Sequence, residues 1–248
     1  MKSRQYQPGF YNLSPKVRDM GSRLRQAEKI TSVLTGFSSY PLSSATCLDI
    51  GCSAGFITAA LAPLFGRTVG LDYDNVALQN AARSDLCLSF VCGDAMALPM
   101  ANSSIDVIIC AQVYEHVPDD ETLVAEMYRV LKPGGMVFFS GPNKLFPIEP
   151  HYFLPCLHWL PERLANGYLR LLGRGHHYYE RSRTLWGLQH LLAPFTIHDV
   201  TVQVLQHMQF AGSGRWSRFM SRLPLWVWKI LLPILPNYNW ILLKSSES

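Results

Sequence analysis

From residue 46 onward, short apolar runs alternate with longer amphipathic stretches. The runs at 46–50, 67–72, 88–93, 105–110 and 136–140 are rich in Val, Ile, Leu, Phe and Cys. Continuous apolar runs of this length predict strands buried on both faces. Between them, 55–65, 75–83 and 119–131 have helical patterning. The last opens on Asp119 and Asp120, acids suited to a helix N-terminus, and Pro133-Gly134-Gly135 predicts a tight turn after it. The alternation predicts an α/β architecture: a parallel sheet with helices on both faces. Ahead of it, residues 16–34 read as a helix striped by Val17, Met20, Leu24, Ala27, Ile30 and Leu34. Residues 1–15 read as an irregular arm, so 1–44 forms an N-terminal arm and helix.

The pattern changes after Asn143. Residues 144–183 carry Pro147, Pro150, Pro155 and Pro161 among aromatics and histidines, which predicts an insertion. A helix at 184–192, a sixth strand at 195–205 and a seventh at 238–244 follow. Residues 206–237 form a second insertion, apolar and basic. The whole, 1–248, is expected to be one domain.

The chemistry concentrates at the first strand–helix junction, Leu48-Asp49-Ile50-Gly51-Cys52-Ser53-Ala54-Gly55-Phe56. Ligands of open α/β sheets bind beyond the carboxyl ends of the strands, and Gly51 and Gly55 allow backbone to come close to one. The loop lacks the G-x-G-x-x-G of a dinucleotide site and the Lys-Ser/Thr of a phosphate loop. An acid there suits a ligand with a cationic amino-acid end. A second strand ends at Asp72, placed to take the two hydroxyls of a ribose. S-adenosylmethionine has both features.

These segments resemble the class I S-adenosylmethionine-dependent methyltransferases, of the type 11 kind. Leu48 to Phe56 resembles the first motif and Gly70-Leu71-Asp72-Tyr73-Asp74 the ribose-binding acid. Cys92-Gly93-Asp94-Ala95 with Leu98-Pro99 resembles the adenine segment. Ser104 to Cys110, with Gln112-Val113-Tyr114-Glu115-His116-Val117, resembles the fourth strand and its loop. Leu131-Lys132-Pro133-Gly134-Gly135 and Met136 to Ser140 resemble the fifth. The resemblance implies a Rossmann-like, doubly wound, seven-stranded sheet, mostly parallel with an antiparallel last strand. It implies S-adenosyl-L-methionine as cofactor, held by Asp49, Gly51, Cys52, Gly55, Asp72, Tyr73, Asp94, Ala95, Gln112 and Val113. Tyr6 or Tyr11 could also reach it. Stretches such as Pro147-Ile148-Glu149-Pro150-His151-Tyr152 and Tyr238 to Lys244 resemble a bacterial subgroup linked to glycolipid or surface-polysaccharide assembly.

Composition narrows the partners. The chain has 248 residues, is 48% hydrophobic, and carries a formal net charge of +4. That excess is too small to argue for nucleic acid, and the Asn/Asp-Pro-Pro-Tyr/Phe motif of base-amine methylation is absent after the fourth strand. Six Cys without a C-x-x-C pair read as reduced thiols. No signal-peptide core is visible, so the expected location is cytoplasmic. Residues 215–235 mix Trp, Phe and Leu with Arg215, Arg218, Arg222 and Lys229. That stretch is too short to span a bilayer, which takes about 20 apolar residues. It suits a helix in the membrane interface, on the inner face, or one packed on the domain.

Methyl transfer to a hydroxyl needs a base. The candidates are His151, Glu149 and His116, with His158 further off. His176-His177 has no partner spacing, so no metal site is expected. The expected acceptor is a small or lipid-linked molecule, through a hydroxyl of a sugar or similar amphipathic group. Methylation of a prenylated quinone or aromatic ring is the alternative within enzymes. A catalytically silent binding subunit with the same fold is the alternative outside them.

Overall fold

The computed structural model describes residues 19–82, 88–207 and 224–246. Its elements are α1 (Met20–Phe37), β1 (Thr46–Ile50), α2 (Phe56–Leu61), β2 (Arg67–Asp72), α3 (Asn75–Ala82), β3 (Ser89–Cys92), β4 (Ile105–Ala111), α4 (Asp120–Val130), β5 (Leu131–Pro142), α5 (Glu162–Leu171), α6 (Leu185–Leu191), β6 (Thr196–Asp199), α7 (Thr201–His207), α8 (Leu225–Leu231) and β7 (Asn237–Leu243).

The strands form one seven-stranded sheet in the order β3-β2-β1-β4-β5-β7-β6. Neighbours from β3 to β5 pair in parallel, and β7 runs antiparallel between β5 and β6. The expected α/β, doubly wound sheet with its antiparallel last strand is therefore present. β1 and β4 lie side by side, with Asp49 opposite Ile109 and Ile50 opposite Cys110. The order reverses between them, so their carboxyl ends flank the crevice where such sheets take ligands. Leu48, Ile108, Val137 and Trp240 are buried on one face, and Cys47, Val107, Ile109 and Phe138 on the other. Alternate residues of the same strands thus feed two cores, as burial on both faces requires.

Local chemistry explains where elements start and stop. Asp119 caps α4, its Oδ1 accepting from the Glu121 and Thr122 amides at 3.1 Å each. α2 ends six residues after Gly55 and passes into a 3₁₀ turn at Ala62–Leu64, because Pro63 has no amide hydrogen to donate. The turn expected at Pro133-Gly134-Gly135 lies inside β5 instead. Gly134 N donates to Lys244 O at 3.0 Å and Lys244 N to Gly135 O at 3.1 Å, which extends the strand.

The sixth strand is a second correction. Residues 195–205 were expected as one strand, but β6 stops at Asp199 and α7 begins at Thr201. Asp199 Oδ1 accepts from Thr201 N at 2.8 Å, a local turn that redirects the chain. Val200 and Val204 then sit at helical spacing in the second core.

The first insertion carries a small core of its own, Leu154, Leu157, Ala165 and Leu169, flanked by Tyr152 and Tyr178. Its return is stitched to the loop after β4: Arg181 N donates to Glu115 O at 2.9 Å, and Arg183 N to the Tyr114 hydroxyl at 3.0 Å. Arg183 also forks onto Asp120 at 2.6 and 2.7 Å. Of the second insertion, residues 206–207 and 224–237 are described. Arg215, Arg218 and Arg222 lie outside the described residues, as do Tyr6 and Tyr11.

Candidate active site

The loop from β1 to α2 is held by main-chain bonds to β2. The Gly51 and Cys52 amides donate to Leu71 O at 2.8 and 3.1 Å. Gly51 has φ +72°, and a Cβ there would sit 2.7 Å from Val113 Cγ2. Gly55 has φ +74°, and its Cβ would sit 2.7 Å from Phe90 Cζ. Both positions need the left-handed region and the missing side chain. Gly55→Ala is expected to destabilise the protein by several kcal/mol, since strain and overpacking act together. A thermal-unfolding midpoint equal to the wild type would contradict this packing.

Asp49 is buried, and its Oδ2 accepts from Thr58 Oγ1 at 2.6 Å. Burial, and to a smaller degree the charge of Asp72, push its carboxyl up to about 7, while the Thr58 hydroxyl and Arg23 oppose the shift. Arg23 of α1 therefore adds a cation at this corner, a contribution the apolar stripe did not reveal. Asp72, at the tip of β2, accepts from Ser53 N at 2.7 Å and Asp74 N at 2.8 Å. Burial raises its pKa against those two bonds. Tyr73 beside it is exposed. Asp94 Oδ1 accepts from Met96 N at 3.0 Å in a tight turn, and Ala95 is buried under it.

Across the crevice, Gln112 follows β4 with φ +61°. Its amide donates to Ser140 O at 2.8 Å and its side chain to Ser140 Oγ at 3.3 Å. Val113 packs over Gly51, which closes the floor between the two strand ends. The cofactor candidates are thus gathered along the ends of β1, β2, β3 and β4.

The base candidates converge beside them. Glu149 is fully buried, and its Oε2 accepts from the His151 and Tyr152 amides at 2.8 and 2.6 Å. Its Oε1 lies 2.8 Å from His151 Nδ1. His151 Nε2 points to Glu115, 4.0 Å from Oε1, and His116 Nε2 lies 3.8 Å from that same oxygen. The His116 and His151 rings meet edge to face at 4.8 Å. Burial holds His116 down at about 3, with the His151 charge adding to it. For His151, burial pulls the pKa down, but the Glu149 bond and the charges of Glu115, Glu180 and Glu149 outweigh it and leave it raised. His158 meets Trp159 edge to face, and burial lowers its pKa while the charge of Glu149 opposes the shift.

Sequence reading placed Glu115 only in the loop motif beside His116 and offered neither it nor Glu180 as a base; both are buried near this cluster. Glu115, His116 and His151 present ligand atoms within 4.8 Å of one another, so this group could hold a cation. Both Glu115 carboxylate oxygens lack a hydrogen-bond partner among the described residues. Burial pushes Glu115 up to about 7, His151 opposing and Glu180 and Glu149 adding. A folded-state pKa above the unfolded one means that the folded protein holds an extra proton through this window. Stability is then lost as pH rises from the ordinary carboxylate range through about 7. Glu115→Gln should raise the unfolding midpoint above wild type at about pH 8 and leave it little changed at about pH 4. An equal midpoint at the higher pH would contradict the buried-charge reading.

Residues 48–139 match the family model described as a methyltransferase domain. A probable S-adenosylmethionine-dependent methyltransferase of Mycolicibacterium smegmatis is 34% identical over 98 residues, covering 40% of this chain and 38% of that protein. The mitochondrial ubiquinone biosynthesis O-methyltransferase of Mus musculus is 29% identical over 189 residues, covering 73% of this chain and 49% of its own length. The chain thus spans less than half the length of these relatives. The plantazolicin methyltransferase BpumL, solved with a monoazolic desmethylPZN analogue and SAH, shares the fold at a TM-score of 0.59 and 16% identity, covering 98% of this chain and 93% of that one. Residues 48–139 thus carry a methyltransferase domain, and the chain is similar over that region to S-adenosylmethionine-dependent methyltransferases.

Proposed function

We propose that the protein is an S-adenosylmethionine-dependent O-methyltransferase of an amphipathic, hydroxyl-bearing acceptor, with His151 as general base. One observation carries this reading. Glu149 is locked by two backbone amides and bonds His151 Nδ1, so the ring presents Nε2 inward, beside the loop that follows β4. A carboxylate that fixes tautomer and orientation is how an imidazole is readied to take a hydroxyl proton. Both Glu149 oxygens are engaged, so Glu149 acts as the positioning residue and not as the base.

The cofactor supplies the electrophilic methyl on its sulfonium. The residues present fit it. Asp72 suits the ribose hydroxyls, and Asp94 with Ala95 suits the adenine. Asp49, with Thr58 behind it, suits the ammonium of the amino-acid end, and Arg23 the carboxylate. Gln112 and Val113 line the floor where the methyl would lie. With cofactor and acceptor bound, His151 would take the proton of the acceptor hydroxyl, and the chain's other task would be to hold the two reactants in line.

The relatives named for ubiquinone biosynthesis O-methylation favour a prenylated aromatic ring as the second acceptor reading. Its ring hydroxyl would use the same base. Exposed Trp226 and Ile230 on α8 fit either lipid tail, and peripheral contact of residues 215–235 with the inner membrane face goes with both. Methyl transfer from labelled S-adenosylmethionine to a polyprenyl-linked glycan and to a prenylated catechol would separate the two. Label in the glycan is the expected result. Label in the catechol alone would replace the sugar reading, and label in neither would remove both.

A further inference from the structure

Two helices of the insertions expose apolar stripes that no other described part of the chain covers. On α5, Ala165 and Leu169 face the insertion's core, while Leu164, Leu171 and the following Leu172 are exposed, Leu171 at 82%. Leu164 and Leu171 share one helical face. Arg163, Arg170 and Arg174 are exposed along its neighbouring edge. On α8, Trp228 is buried, while Trp226, Ile230 and the following Ile234 are exposed at 65%, 68% and 52%, with Lys229 exposed among them. The two helices are fastened to adjacent residues at the end of β5. Asn143 Nδ2 donates to Pro233 O and Leu235 O at 2.8 Å each, and Trp159 Nε1, just ahead of α5, donates to Lys144 O. Both stripes are therefore anchored at the carboxyl edge of the sheet, the edge that carries the site.

Charge selects the occupant. Residues 159–177 and 224–236 hold four cations, Arg163, Arg170, Arg174 and Lys229, against one acid, Glu162. That local excess of three sits in a chain whose whole formal charge is +4. Exposed leucine, isoleucine and tryptophan edged by cations match a surface with an apolar interior and anionic head groups. No helix among the described residues is long and apolar enough to cross a membrane, which leaves contact from one side.

We propose that α5 and α8 together form a docking surface for an anionic lipid bilayer, which brings the crevice to an acceptor held in that bilayer. This rests on the amphipathic-acceptor reading above, but its test needs no acceptor. The full chain would be sedimented with vesicles of phosphatidylcholine alone, and with vesicles of one part phosphatidylglycerol to three parts phosphatidylcholine. Binding to the anionic vesicles only, weakened by added salt, is the expected result. Leu171→Ser and Trp226→Ser should each lower partitioning roughly 10- to 100-fold. The pair Arg170→Gln and Lys229→Gln should lower it roughly 20- to 30-fold. Unchanged S-adenosylmethionine binding would show that each variant is folded. Absence of binding to anionic vesicles would overturn the proposal. So would variants that bind like wild type, or a dimer in light scattering that these substitutions dissolve. Retained vesicle binding with no methyl transfer to any amphipathic hydroxyl would instead count against the acceptor reading.

Discussion

Replacing Asp72 by alanine is expected to weaken S-adenosylmethionine binding by a factor of about 10² to 10⁴. The ribose presents two hydroxyls, and two hydrogen bonds to a charged carboxylate contribute roughly 1.5–3 kcal/mol each. Asp72 also accepts from Ser53 N and Asp74 N, so it ties the glycine loop to the tip of β2. The alanine variant loses both functions. Asp72→Asn separates them, because an amide oxygen can still accept a backbone hydrogen bond while the charge is gone. Calorimetry on both variants, with unfolding midpoints alongside, is the check. Affinity that survives in the alanine variant would remove Asp72 from the ribose site.

His151→Ala is expected to leave cofactor affinity intact and to lower turnover by about 10² to 10⁴, the usual contribution of a positioned base. The pH profile makes the role distinguishable from mere support. A base works in its neutral form, so turnover should rise with pH through the His151 pKa. That inflection should lie above the ordinary 6.5, because Glu149, Glu115 and Glu180 outweigh the effect of burial. Glu149→Gln removes the bonded carboxylate and should shift the inflection to lower pH while slowing the reaction. His116 is already held neutral across the working range, so His116→Gln should leave the inflection in place. A rate profile that ignores Glu149→Gln would show that the pair only braces the insertion.

The first half of the fold was legible because the parallel strands are short apolar runs, and β1 and β2 each carry an acid at or next to the carboxyl end, Asp49 and Asp72. The cofactor candidates follow strand tips, and strand tips can be found from pattern alone. β6 was overextended because Val200, Val202 and Val204 also suit a strand, and the redirecting bond from Thr201 N to Asp199 is a single side-chain choice. Glu115 and Glu180 were not offered as chemical groups for another reason. The cluster joins Glu115 and His116 to Glu149 and His151 and to Glu180, three chain segments that meet only once the first insertion folds back on the β4 loop. No spacing within the sequence announces that meeting. Arg23 was hidden in the same way, since its partner Asp49 belongs to a different element.

The most direct test follows the methyl group itself. Wild type and His151→Ala would each receive labelled S-adenosylmethionine and a lipid extract of bacterial envelopes, and the linkage of the transferred methyl would be read by mass spectrometry. The account predicts an organic-soluble methyl ether made by the wild type and almost none made by the variant, with equal cofactor binding in the two. A methyl group found on nitrogen or carbon, or transfer by His151→Ala at the wild-type rate, would contradict it.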